Sequence, residues 1–188
     1  MSCINIVTFD DFEENVDKIY QVKDQIRNYV KKRQILQNDF ETLQANIRKV
    51  LLFWTGNTWV GSRKSKSQEK AFQAFFTELY NLLTSDLVEG SQFLYQGTLY
   101  RYLGYNSSDK ESAPAIEPEY NNIYVSWSKK PKNQYIESKL YGKMTHLTCE
   151  AADDYYGIDL SAFDVERPGE EEVVFPTIES TIKSIVIM

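Results

Sequence analysis

Near its C-terminal end the chain reads RPGEEEVVFP, residues 167–176, where three glutamates run straight into Val-Val-Phe. On a strand, successive side chains point to opposite faces, so Glu170, Glu172 and Val174 share one face and Glu171, Val173 and Phe175 the other. Glu172 is the last charge before the apolar run and is the glutamate expected to be most enclosed. Two carboxylates two residues apart on a strand are about 7 Å from each other. They can serve one substrate, one stabilising a developing cation and the other handling the incoming nucleophile. The same spacing suits a glycoside-hydrolase carboxylate pair, although no sugar-binding pattern accompanies it, and a solvated turn after Pro168-Gly169 explains the charges equally simply.

Two upstream stretches carry further chemistry. In NNIYVSWSKK, residues 121–130, Ile123, Val125 and Trp127 fall on one face of a strand and Tyr124, Ser126 and Ser128 on the other. The second is a hydroxyl face, which is also common on the open side of a sheet. In GTLYRYLG, residues 97–104, Arg101 shares a face with Leu99 and Leu103, and Tyr100 and Tyr102 share the opposite one. An arginine so placed either snorkels to the surface or holds an anion, since its planar fork suits a phosphate bidentately.

The elements that must position these residues fall into two classes. From Asp10 to Phe53 there is no Gly or Pro, and apolar residues recur at intervals of three and four, from Phe12, Val16 and Ile19 to Ile47, Val50 and Leu51. That period predicts helices, with a break near Lys31-Lys32-Arg33. Residues 54–68 read as a loop and 67–86 as an amphipathic helix with Ser67 as its cap. Beyond Glu89-Gly90 the pattern changes to short alternating or apolar runs separated by turns. Expected strands are Phe93–Tyr95, Thr98–Leu103, Ile123–Ser128, Thr145–Glu150, Gly157–Asp159, Glu172–Phe175 and Ile182–Ile187. Residues 104–122, which carry Pro114 and Pro118, read as a surface loop. The layout is α+β: N-terminal helices, then a mostly antiparallel sheet. We read residues 1–188 as a single domain, with 1–88 a helical lead-in and 89–188 the β-rich core.

Composition narrows the function classes. The net charge is −6 and the calculated pI about 5.0, which argues against tight nonspecific nucleic-acid binding. His146 is the only histidine, which removes most Ser-His-Asp, Cys-His and His-ligated zinc mechanisms. Cys3 and Cys149 have no CxxC neighbour, so no metal site is expected and both are read as reduced thiols. Residues 1–10 lack a signal-peptide pattern and no apolar run approaches membrane-spanning length, so we expect a cytoplasmic protein without membrane contact.

An Arg strand, a Ser-x-Ser strand and a Glu-x-Glu strand, in that order, resemble the arginine–serine–glutamate class of mono-ADP-ribosyltransferases. The matching stretches are LYRYLG, YVSWSK and YYGIDLSAFDVERPGEEEVVFP, of which the last is the most specific, and the resemblance covers residues 90–188. Two positions depart from the family pattern. Tyr102 follows the arginine where Gly is usual, and Trp127 stands where the serine motif usually has Thr.

The resemblance implies a split, mostly antiparallel sheet of ADP-ribosyltransferase type. It also implies cleavage of the nicotinamide–ribose bond of NAD, a co-substrate, with transfer of ADP-ribose to a macromolecular acceptor. In that scheme Glu172 stabilises the ribosyl cation, Ser126 orients Glu172, Ser128 supports the strand and Arg101, with Tyr102 beside it, grips the diphosphate. Glu170 marks the arginine-modifying subtype and acts on the acceptor. Residues 161–169 become the target-recognition loop, with Phe163 either its exposed aromatic or a core residue, and Tyr135 and Tyr141 are candidates to stack on nicotinamide. Lys129, Lys130 and Lys132 either approach the NAD phosphates or form a solvated basic loop. A small transferase of this kind resembles phage-encoded or toxin-like enzymes that act in a host cytoplasm, for which an antitoxin or inhibitor is a further partner. The competing readings are an enzyme that modifies nucleic acid and a noncatalytic interaction domain that keeps the fold.

Overall fold

The protein is described from a computed structural model, in which residues 6–9, 15–55, 66–104, 126–130, 144–151, 156–165, 171–174, 176 and 182–187 are placed. Its order of elements is three helices followed by seven strands, an α+β arrangement. The helices are α1 (Val16–Lys32), α2 (Gln37–Thr55) and α3 (Lys66–Leu83). The strands are β1 (Leu94–Tyr95), β2 (Thr98–Gly104), β3 (Ser126–Ser128), β4 (Met144–Ala151), β5 (Gly157–Asp159), β6 (Glu172–Val174) and β7 (Ile182–Ile187). None of the described helices is long and apolar enough to cross a membrane.

The chain divides into two compact units. One comprises Met1–Phe93 together with Ala162–Val165, and the other Leu94–Ser161 together with Glu166–Met188.

In the helical unit, the 3–4 period becomes a buried stripe on each helix. Ile19, Val22 and Ile26 of α1, Leu43, Ile47 and Val50 of α2, and Phe72, Phe75 and Phe76 of α3 are all buried. Helical periodicity places such residues on one face, and removing that face from water supplies most of the helices' stability. Trp54 ties α2 to α3, meeting Phe72 and Phe76 edge-on at ring separations of 4.9 and 5.1 Å. The break expected near the basic triplet falls at its last residue, Arg33, a non-glycine residue in the left-handed region (φ 53°), whose N–H caps Val30 O at 3.3 Å. Helix α3 is described over Lys66–Leu83, and Ser67 lies within that span.

A buried polar hub completes this unit. Asn46, fully buried on α2, accepts a hydrogen bond from Val7 N at 3.1 Å and donates to Gln25 Oε1 of α1 at 3.0 Å. A buried amide without such partners would cost about 1–3 kcal/mol.

In the second unit the strands run in the order β1-β5-β6-β3-β2-β4-β7, and every described pairing is antiparallel. The β1-β5-β6-β3 group and the β2-β4-β7 group are joined through one described register pair, Tyr100 opposite Ser128. The described strands thus form one seven-stranded sheet, and the junction between the two groups is a single pair wide among the described residues.

Candidate functional site

The three strands singled out by their chemistry are neighbours. The order β6-β3-β2 places the glutamate strand, the serine strand and the arginine strand side by side. Register then fixes which residues face one another. Ser126 is opposite Val174, Trp127 opposite Val173 and Ser128 opposite Glu172. Ser128 is also opposite Tyr100 of β2, so Tyr100, Ser128 and Glu172 form one row across three strands.

Ser128 and Glu172 are both buried, each 8% exposed. A carboxylate removed from water needs compensating hydrogen bonds or charge. Directly opposed strand residues bring their Cβ atoms to about 4.5–5.5 Å, close enough for a hydroxyl to reach a carboxylate. The Ser128 hydroxyl accepts a hydrogen bond from Lys130 N at 3.1 Å, which fixes its rotamer at the strand end. A serine hydroxyl carries two lone pairs and one proton, so accepting from Lys130 is compatible with donating to a carboxylate.

The register changes the expected division of labour between the serines. Ser126 was expected to orient Glu172 and Ser128 to support the strand, yet Ser128 is the residue opposite Glu172. Ser126 lies two positions along, opposite Val174, a separation of about 7 Å.

Arg101 and Tyr102 of β2 are placed by their backbone pairing, Arg101 opposite Leu147 and Tyr102 opposite His146. Arg101 stands one position beyond Tyr100 along β2. Leu99 is fully buried. The three strands are therefore brought together in the sheet.

Glu171 and Glu172 differ in backbone conformation. Strand β6 begins at Glu172, and Glu171 before it has φ 43°, in the left-handed region. A left-handed residue lies outside the extended backbone of a strand, so the regular strand starts after Glu171. Glu171 keeps 35% of its side chain exposed, lies 3.5 Å from Lys130 Nζ and accepts from Lys129 N at 3.0 Å.

The structure decides between the two readings of Phe163 and corrects the exposed one: Phe163 is a core residue, 5% exposed and stacked on Phe93 at 4.4 Å within the helical unit. The next two residues are held to α2: Arg48 donates to Asp164 O at 3.2 Å and Thr55 to Val165 O at 3.1 Å. Apolar burial and backbone anchoring make this segment part of a core. Its exposed residues are Ala162 and Asp164.

Lys129 is likewise committed. Its ammonium lies 2.8 Å from Asp159 Oδ2 and 3.3 Å from Ser161 Oγ, a partnership that sequence reasoning missed. Only the adjacency of GIDLS to the glutamate strand hinted at it. Glu170, Tyr135, Tyr141 and Lys132 lie outside the described residues. Among the described residues there is no group of three or more His, Cys, Asp or Glu suited to a metal ion.

No protein-family model matches the chain, and neither the curated proteins nor the solved structures yield a significant match.

Proposed function

We propose that the protein is a mono-ADP-ribosyltransferase that cleaves NAD and transfers ADP-ribose to a macromolecular acceptor, most specifically a protein arginine. The observation that carries this reading is the buried Glu172 placed directly opposite Ser128, on a strand two places from Arg101 in the sheet order. The α+β layout and the narrow junction between the two strand groups are compatible with the split sheet of that family.

In this reaction the bond between the ribose anomeric carbon and the nicotinamide nitrogen breaks, and its electron pair leaves with nicotinamide. The pyridinium nitrogen becomes neutral, so the leaving group needs no proton from a general acid. The ribosyl centre develops oxocarbenium character, as in glycoside hydrolysis. Glu172, ionised, hydrogen-bonds a ribose hydroxyl and stabilises that charge, and Ser128 holds the carboxylate in place. Arg101 is the cation this reading assigns to the diphosphate, with Tyr102 beside it and Ser126 further along β3. The acceptor nitrogen forms the new bond and loses a proton, which Glu170 takes. NAD is a co-substrate that turns over.

Incubation with labelled NAD and a cell lysate tests the reading. Glu172→Gln is expected to abolish both nicotinamide release and labelling. Glu170→Gln is expected to lose labelling more than NAD hydrolysis. A wild-type protein that neither releases nicotinamide nor labels any macromolecule would establish the noncatalytic reading. Protease against nuclease sensitivity of the label separates a protein acceptor from a nucleic-acid one.

A further inference from the structure

The β-rich unit contains a polar cluster that the proposed reaction does not use. Besides its two contacts with Lys129, the cluster is closed by Ser161, whose N and Oγ both donate to Asp159 Oδ1, at 3.1 and 2.5 Å. Lys129 also lies over the ring of Tyr95, 5.6 Å from its centre. The side chains of Lys129 and Asp159 keep 21% and 12% exposure, so the pair is largely withdrawn from solvent.

Two chemical roles fail on this geometry. A serine beside a lysine becomes a nucleophile only when the amine has a lone pair to take its proton. Here the ammonium is paired with a carboxylate, and the serine proton is directed at that same carboxylate. A phosphate site fails as well, because Asp159 already offsets the charge of Lys129.

The remaining role is mechanical, and topology defines it. Lys129 directly follows β3, whereas Asp159 ends β5, opposite Val173 of β6. Strand β6 lies between them, so the ion pair joins second-neighbour strands about 10 Å apart and crosses the strand that carries Glu172. Asp159 shares its pleat row with Val173, the row alternate to that of Glu172.

This matters because Ser-x-Ser is ambiguous in register. A two-residue slip of β3 along β6 keeps Ser126 on the face it now occupies and would put it where Ser128 now stands. The ladder bonds do not distinguish the two registers. An ion pair anchored one residue past Ser128 does. We propose that the Lys129–Asp159–Ser161 clasp selects the register of β3 on β6 and so makes Ser128 the serine opposite Glu172. Lys129 is thereby a positioning residue. Why the choice matters rests on the proposed function, but the register itself can be read without NAD.

The test is disulfide trapping in the full chain with Cys3→Ala and Cys149→Ala. Directly opposed strand residues meet disulfide geometry, whereas diagonal ones two positions off lie at about 7–8 Å and do not. Ser128→Cys with Glu172→Cys is expected to cross-link readily, and Ser126→Cys with Glu172→Cys poorly. Adding Lys129→Met should lower the ratio of the first product to the second by about tenfold or more, because the clasp is a largely buried pair. Lys129→Arg should retain the original ratio, and Asp159→Asn should shift it as Lys129→Met does. Efficient 126–172 cross-linking with Lys129 intact overturns the proposal, as does an unchanged ratio in the Lys129→Met or Asp159→Asn protein. A role confined to stability would lower both products together. Absence of NAD cleavage by the wild-type chain, with the cross-linking pattern as expected, would instead count against the enzymatic reading.

Discussion

Ser126 and Ser128 are separated by one tryptophan and look interchangeable as letters, yet their register partners are Val174 and Glu172. A hydrogen bond from a hydroxyl to an ionised carboxylate is worth about 1.5–3 kcal/mol, or roughly ten- to hundredfold in rate if it acts in the transition state. We therefore expect Ser128→Ala to lower the turnover of nicotinamide release by about that factor, and Ser126→Ala by less than about threefold. Steady-state release assays on the two variants decide between them, and the opposite ranking would show that Ser126 is the serine that orients Glu172. Glu171 separates itself from Glu172 in a different way, through its left-handed backbone. Nothing in EEE indicates which glutamate turns the chain.

At the scale of elements, composition and period were informative because they report local physics. The 3–4 spacing located α1, α2 and α3, and the alternating runs located all seven strands to within a few residues. The single long helical stretch was expected to break near Lys31-Lys32-Arg33, and it breaks at Arg33. Register was not legible, because it depends on contacts between segments distant in sequence: β3 meets β6 across more than forty residues. The Lys129–Asp159 pair, thirty residues apart, was hidden for the same reason. Whether Phe163 is exposed or core stayed open in the sequence because an aromatic in a loop carries no mark of whether a partner such as Phe93 covers it. Gly90, by contrast, could be noted as a boundary but not explained. A Cβ there would lie 1.8 Å from Leu83 O at the end of α3, a backbone atom that cannot swing aside. Gly90→Ala is expected to destabilise the protein by about 1–3 kcal/mol or more, the cost of overpacking a closed contact. Thermal denaturation measures it, and an unchanged midpoint would show that the turn at Gly90–Phe93 relaxes freely.

At the scale of the whole molecule, the two compact units are not consecutive in sequence. Residues 162–165 lie between β5 and β6 along the chain but belong to the helical unit. Phe163, Asp164 and Val165 reach Phe93, Arg48 and Thr55 there. Truncating a buried Phe costs about 3–5 kcal/mol through lost transfer energy and a residual cavity. Phe163→Ala is therefore expected to raise amide hydrogen exchange in α2 and α3, although the substitution falls in the strand-rich half of the sequence. Increased exchange confined to β5 and β6 would refute that assignment. The N-terminal helices thus depend on a segment that is synthesised after five of the seven strands.

The two ends of the strand order have unequal consequences for how the protein behaves in concentrated solution. At one end stands β1, two residues long, which offers a neighbouring chain almost no template. At the other stands β7, six residues reading IKSIVI, paired with β4 and, among the described strands, with no strand beyond it. Such a run combines high β-propensity with a single charge, Lys183, so that one lysine is the gatekeeper against edge-to-edge association and fibril-like stacking.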